Sequence, residues 1–172
     1  MRWAHEVESN IIWNADPRPY AVNAVNQAVE LGVSERKIFA YLDFSEWQAS
    51  RLLHGASILT GVPFVANDRD NAVRDFVSRA GGMPGGELVT HVAYTHYNAL
   101  MALKAAMDRS GEASALGGLA GFDGLTIGTA TGPLMLDGHG YPSMPMLIAT
   151  AEGGGPLTVV RKIDQAASST VC

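Results

Sequence analysis

The chain has 172 residues, of which 47% are hydrophobic and 17% are charged, enough apolar material for one globular domain with a real core and too much for a disordered chain. Its net charge of −5 and its lack of a lysine and arginine cluster argue against nucleic acid and anionic lipid as partners, because both bind basic surfaces. The single cysteine, Cys172, excludes a disulfide framework and a cysteine metal site.

The beginning of the chain carries no recognisable export signal. Residues 1–8 lack the charged start and long apolar core of a signal peptide, and no run approaches the roughly 20 apolar residues of a membrane span, so we expect no membrane insertion. If the chain were a complete protein, it would stay in the cytoplasm. Residues 1–9 begin in the middle of a pattern, and we interpret them as an N-terminal extension or the scar of a truncation.

The stretch over residues 10–47 predicts a strand, a helix, a second strand and a polar turn. Residues 11–13 form a short apolar run of the kind buried in a parallel sheet, and prolines follow it. Helical spacing over residues 20–31 predicts a helix that Gly32 ends, and residues 38–42 predict the second strand. This is a right-handed βαβ unit, which gathers its loops at the carboxyl ends of its strands.

The rest of the chain continues with helices and then turns to strands. We predict a short helix capped by Ser45, a helix capped by Asn67 and Asp68, and two further helices: residues 44–53, 69–80, 87–109 and 112–119. The longest of them should bury one broad face: Val89, Val92, Ala93, Tyr97, Leu100, Met101 and Lys104. Predicted strands make a hairpin and a meander before a polar tail over 165–172: residues 56–66, 125–127, 132–136, 144–149 and 157–163.

The sequence offers no cofactor or metal site and no catalytic group. Among the histidines only His91 and His96 are close, and their spacing is a poor helical chelate. The glycine-rich segments lack the lysine and hydroxyl residue of a phosphate-binding loop and do not stand between a strand and a helix. Ser45 has no nucleophile-elbow context, and capping a helix explains it fully.

Candidate binding residues collect at the carboxyl edge of the predicted βαβ unit. Asp43 directly follows an apolar strand, where it can cap a helix or hold a ligand ammonium or amide N–H, and both roles stay open. Asp16 and Tyr20 share the edge, although their segment is also a plain strand-to-helix turn. Tyr41 and Ser45 complete the predicted ligand-binding set.

Five segments in a fixed order resemble the C-terminal lobe of type I periplasmic binding proteins, in the branch that binds amides, urea and branched-chain amino acids. The segments are IIWNADPRPYAVNAVNQAVELGV, IFAYLDFSEW, PFVANDRDNAVRDFVSRA, AYTHYNALMALKAAMDRSG and FDGLTIGTATGPLMLDGHGY. Features typical of the family are the Ser45-Glu46 pair, Pro63-Phe64 before an acid-rich helix start, Ala93-Tyr94 in a helix, the Gly132-Pro133 hairpin, and the turn from Asp137 to Tyr141. The resemblance covers residues 10–163.

The resemblance implies a three-layer α/β lobe with an open parallel sheet, which with a second lobe traps a small amide, urea or amino acid. The protein would catalyse no reaction. It would bind ligand in the periplasm as the substrate-binding component of an ABC importer and deliver it to the permease. In relatives, an acidic residue after the second strand of this lobe and an aromatic or polar residue after the first strand contact the ligand. The corresponding positions in this sequence are Asp43 and the Asp16 region. No segment of this sequence resembles the N-terminal lobe of the family.

One expectation about association and two alternative functions follow from the same segments. We expect the face that would meet the missing lobe to be unusually apolar or to form a homodimer. A cytoplasmic amide-sensing regulator of the same fold is the second function considered. A small flavodoxin-like hydrolase or transferase is the third, and it would need a nucleophile and a base that the sequence does not offer.

Overall fold

The structure, a computed structural model, describes residues 11–14, 20–33, 38–86, 88–137 and 140–166. The strands are β1 (Ile11–Asn14), β2 (Ile38–Leu42), β3 (Ser57–Val62), β4 (Thr126–Thr129), β5 (Gly132–Leu136), β6 (Pro142–Glu152) and β7 (Thr158–Ala166). The helices are α1 (Tyr20–Glu30), α2 (Glu46–Ala49), α3 (Asn71–Gly81), α4 (His91–Ser110) and α5 (Ala115–Phe122).

The strands form one mixed open sheet in the order β1-β2-β3-β6-β5-β4, with β7 paired to β6. Pairing is parallel between β1, β2 and β3 and antiparallel in all the other pairs. The predicted α/β class is confirmed, as are the adjacent parallel strands of the βαβ unit and the C-terminal hairpin and meander. The parallel pairing is confined to the first three strands, so the sheet as a whole is mixed.

Strand β6 joins two parts of the sheet. Its first residues, Pro142 and Ser143, pair with β5, and residues 147–152 pair with β3. Its pairing with β7 has register shifts between Met144 and Met146 and between Ile148 and Ala149. A long strand with such irregularities can bend and twist, which lets it serve both ladders.

The βαβ unit is held by burial of one face of α1 against the sheet. The buried residues of this helix are Ala21, Val22, Val25 and Ala28, which pack in one cluster with Phe39, Ile58 and Leu147. Gly32 ends the helix with a φ of 68°, and the N–H groups of Gly32 and Val33 donate to the carbonyls of Val29 and Ala28. This is the Schellman arrangement that glycine favours, so the predicted helix end is confirmed.

Two predicted helices begin later than expected. Asp70, rather than Asn67 or Asp68, is the N-cap of α3, and its carboxylate accepts from the Ala72 N–H at 2.9 Å. Helix α4 begins at His91 with Thr90 as its N-cap. The helix predicted over 44–53 is only the four residues of α2. The side chain that accepts from the N–H groups of the first turn decides where each helix begins. Several nearby residues have side chains that can act as such an N-cap, so the sequence alone did not select one.

The predicted buried face of α4 is wrong. The buried residues of the helix are His91, Tyr94, Asn98, Ala102 and Ala106, whereas large apolar residues on the other side are exposed: Val92, Tyr97, Leu100 and Met101. Leu100 is 67% exposed. Because polar His91 and Asn98 lie on the inner face and apolar residues on the outer one, hydrophobic spacing selected the wrong side. The homodimer, which was expected at the face that would meet a second lobe, remains a prediction.

An aromatic cluster fastens α4 to the sheet. The rings of Phe64 and Tyr94, both fully buried, stack at 4.4 Å between centroids, and Phe76 meets both edge-on. The Tyr94 hydroxyl lies 2.8 Å from the Thr129 hydroxyl and accepts from the Thr131 N–H at 3.1 Å. The cluster therefore links α4 to the turn between β4 and β5 through both packing and hydrogen bonds.

None of the described helices is both long enough and apolar enough to cross a membrane.

Candidate functional site

The carboxyl ends of the three parallel strands lie at one edge of the sheet, and Asp43 directly follows β2 there. This edge is where open α/β sheets bind ligands. Asp16, which was predicted to join Asp43, lies outside the described residues. The backbone of Tyr41 pairs with Asn14 and Thr60 inside the sheet, while its side chain is outside what the structure describes.

Asp43 has an unusual backbone conformation. Its φ is 68°, and no other non-glycine residue in the described ranges has a positive φ. The Asp43 N–H donates to the Gly61 carbonyl at 3.2 Å, which ties the turn to β3. The left-handed conformation costs a residue with a Cβ roughly 1–2 kcal/mol, less for Asp than for most, and such residues cluster at functional sites.

Asp43 lies against a buried histidine. Its carboxylate Oδ1 is 2.8 Å from Nε2 of His91, the first residue of α4. The Asp43 side chain is 57% exposed, whereas the His91 side chain is only 2% exposed. The pair therefore presents a solvent-accessible carboxylate backed by an imidazole.

The imidazole of His91 is short of hydrogen-bond partners. The Asp43 carboxylate is close enough for an ion pair, yet neither ring nitrogen has a hydrogen bond of good geometry among the described residues. The Asp43 carboxylate, 2.8 Å from Nε2, offsets part of the cost of burying the ring.

The sequence did not single out His91 as a binding residue. It was considered only as a metal ligand, and nothing in its neighbourhood signals a partner, because Asp43 is far away along the chain. On α4 it lies one turn before Tyr94, on the same buried face. The Phe64–Tyr94 stack that fixes α4 therefore also fixes the position of His91.

Glu46 connects two loops at the same edge. Its Oε1 accepts from the Ala66 N–H at 2.9 Å, in the segment that follows β3, and its Oε2 is buried without a hydrogen-bond partner. The sequence had singled out Glu46 only as part of the Ser45-Glu46 pair typical of the family. In the part of the chain that the structure describes, no three His, Cys, Asp or Glu side chains are grouped as metal ligands.

Ser45 is occupied as a helix cap. Its hydroxyl accepts from the Gln48 N–H at 3.3 Å, and the Gln48 side chain accepts from the Ser45 N–H at 2.9 Å, which together form a capping box. The capping interpretation of Ser45 is confirmed. The Ser45 hydroxyl already bonds within its own helix turn. A role of Ser45 in ligand binding stays a prediction.

Replacing Ser45 with Ala should destabilise the protein by about 1 kcal/mol, since the Gln48 N–H loses its acceptor. Urea unfolding followed by circular dichroism would measure this loss. Ser78→Ala, at an exposed position inside α3, is the matched control and should not destabilise the protein. Equal stability of the Ser45 variant and the control would show that the cap contributes nothing.

Tyr20 lies beside a different cavity. The residue is 63% exposed at the start of α1 and lines a cavity of about 440 Å³ with Asn23, Asn26, Trp47 and Arg51. The Arg51 guanidinium lies 4.0 Å above the Trp47 ring. Asp43 and His91 are not part of the described lining of this cavity. The structure thus does not bring Tyr20 together with Asp43 in one pocket.

A comparison with protein families settles what the chain is related to. A profile of the periplasmic binding protein family matches residues 4–156. The chain belongs to the periplasmic binding protein family. The resemblance to type I periplasmic binding proteins is thereby confirmed, with the fold that it implied. A search of curated proteins finds no significant match.

Solved structures of periplasmic binding proteins share this fold. A solute-binding protein of an ABC transporter from Rhodopseudomonas palustris, in complex with benzoate, has a TM-score of 0.81 at 13% identity, covering 99% of this chain and 48% of that one. A leucine-binding protein from Thermotoga maritima has a TM-score of 0.72 at 15% identity, covering 90% and 45%. A leucine-, isoleucine-, valine-, threonine- and alanine-binding protein from Brucella ovis has 0.75 at 11%, covering 91% and 44%.

This periplasmic binding protein chain spans a little under half the length of those three structures. At such low sequence identities the likeness establishes the fold alone, so ligand and partner have to be argued from the site itself.

Proposed function

We propose that this chain contributes to the solute-binding component of an ABC importer and that Asp43, held in place by His91, contacts the ligand. The carrying observation is the Asp43 carboxylate, exposed at the carboxyl edge of the sheet, in a left-handed backbone conformation and 2.8 Å from a buried imidazole. The family match supports this role, and no chemical step is required of the site. The proposed place of action is the periplasm.

The charges at the site favour a ligand with N–H donors. An exposed carboxylate attracts an ammonium or amide N–H through a charge-assisted hydrogen bond and repels a carboxylate brought next to it. His91, whose Nε2 lies 2.8 Å from the Asp43 carboxylate, holds that carboxylate in place. An amino acid or a small amide carries such N–H donors, with urea as the smallest member of the class. Benzoate, which the Rhodopseudomonas palustris protein binds, offers only the repelled group.

The proposed mechanism is capture by closure. The ligand would bind to the Asp43 edge and to a facing surface at the same time, and so would favour a closed state over an open one. The permease of the importer would recognise the closed state. An edge that supplies only part of the contacts binds weakly alone, so the full-length protein is the form to test.

Isothermal titration calorimetry of the full-length protein with leucine, acetamide, urea and benzoate would test this function. We expect heat of binding with leucine or an amide and none with benzoate at the same concentrations, because Asp43 repels a carboxylate that has no ammonium beside it. Binding of benzoate alone, or of none of the four, would overturn the proposed ligand class.

A further inference from the structure

The cavity beside Tyr20 lies between α1 on one side and α2 with the segment after it on the other. We call it the Tyr20 cavity, and its described lining is Tyr20, Val22, Asn23, Asn26, Trp47 and Arg51. Tyr20, Asn23 and Asn26 stand at positions i, i+3 and i+6 of α1, so they extend along about 9 Å of the helix. A peptide segment of about three extended residues has this length.

Arg51 is the only charged residue in the described lining of the Tyr20 cavity. No carboxylate of a described residue lies within ion-pair distance of its guanidinium. The chain as a whole carries a net charge of −5, so this cavity has a local charge opposite to that of the protein. The group that it attracts is therefore an anion.

The Arg51 side chain and its backbone are held in place without a ligand. The guanidinium lies 4.0 Å above the Trp47 ring, where cation–π attraction restricts it. The Asn26 side chain fixes the backbone: its Nδ2 donates to the Arg51 carbonyl at 3.0 Å, and its Oδ1 accepts from the Leu53 N–H at 2.9 Å. Groups that are already ordered lose less entropy on binding, so their contacts contribute more affinity.

The side chains around Arg51 are of the types that anchor protein–protein interfaces. Trp, Tyr and Arg are enriched among the residues that contribute most to such interfaces. Trp47 is 42% exposed and Tyr20 is 63% exposed, so both rings remain accessible at the surface. Each ring can cover an apolar side chain of a partner and thereby exclude water from the neighbouring charge.

We propose that the Tyr20 cavity binds a partner protein through a short segment in which an acidic residue is flanked by apolar residues. The acidic side chain pairs with Arg51, and the flanking side chains cover Tyr20 and Trp47. A lone carboxylate such as benzoate makes only the exposed ion pair, which by itself contributes little affinity. Neither Asp43 nor His91 belongs to the described lining, so the proposal does not depend on the solute site.

Two capped peptides, acetyl-Leu-Glu-Leu-amide and acetyl-Leu-Gln-Leu-amide, would test the proposal. Each is titrated into the full-length protein while NMR follows the tryptophan indole N–H groups, with Trp47→Phe identifying the Trp47 signal. We expect the Glu peptide to shift this signal and the Gln peptide to bind about three- to tenfold more weakly, because it lacks the charge. Equal affinities, or no shift of the Trp47 signal, would overturn the proposal. Propionate binding as tightly as the Glu peptide would also overturn it, in favour of a site for small anions.

Arg51→Gln should abolish the preference for the Glu peptide, and a preference that survives this change would contradict the proposal. Arg69→Gln, an equal change of charge at an exposed position outside the described lining, should retain the preference. Asp43→Asn should leave the affinity for the Glu peptide unchanged, although it weakens binding of leucine. The Asp43 edge and the Tyr20 cavity prefer opposite charges, so either proposal can fail without the other.

Discussion

Replacing Asp43 with Asn should weaken binding of an amino acid or amide ligand at least tenfold. The substitution keeps the size of the side chain and removes the charge, so it loses a charge-assisted hydrogen bond worth about 1.5 to 3 kcal/mol. Asn tolerates the left-handed conformation that Asp43 adopts, with its φ of 68°, so the fold should be retained. Calorimetry on the wild type and the variant, with leucine and acetamide, would measure the change.

Two further results make the Asp43 experiment decisive. Asp123→Asn, at an exposed position at the end of α5, changes the net charge equally and should leave affinity unchanged. Thermal unfolding of the Asp43 variant should still show one cooperative transition, which separates a lost contact from a lost fold. If the ligand binds equally well to both Asp43 forms, Asp43 is not part of the site and the proposed function rests on family membership alone.

Phe64→Ala should lower the free energy of unfolding by about 3 to 5 kcal/mol, more than any other substitution named above or below. The ring is fully buried, stacks on Tyr94 and contacts the edge of Phe76, so its removal leaves a cavity at the join between α4 and the sheet. Urea unfolding, with the slope compared between variants, would measure the loss.

One further substitution separates the contribution of the Tyr94 hydroxyl from that of the stacked rings, and a second one serves as a control. Tyr94→Phe keeps the stacked ring and removes the hydroxyl that accepts from the Thr131 N–H, and it should cost about 1 to 3 kcal/mol. Leu119→Ala, at a position 67% exposed on α5, should change stability by less than about 0.5 kcal/mol. A loss at Phe64 no larger than that at Leu119 would mean that the stack does not hold α4 in place.

Local patterns in the sequence were enough to predict most elements and the family. The βαβ unit, the helix end at Gly32 and the cap at Ser45 all follow from contacts between residues close in the chain, where spacing and residue type carry the information. The carboxyl edge with Asp43 also followed, because parallel strands joined by a right-handed crossover must place their loops on one side.

What only the tertiary structure decided depends on contacts between residues far apart in the chain. His91 joins Asp43 because the Phe64–Tyr94 stack presses α4 against the sheet, and no local pattern records such a contact. The inner face of α4 was also hidden, since it carries polar His91 and Asn98 while the outer face carries Val92 and Leu100. Packing against neighbouring elements selects the buried side of a helix, and hydrophobic spacing within one helix cannot express it when both sides are apolar.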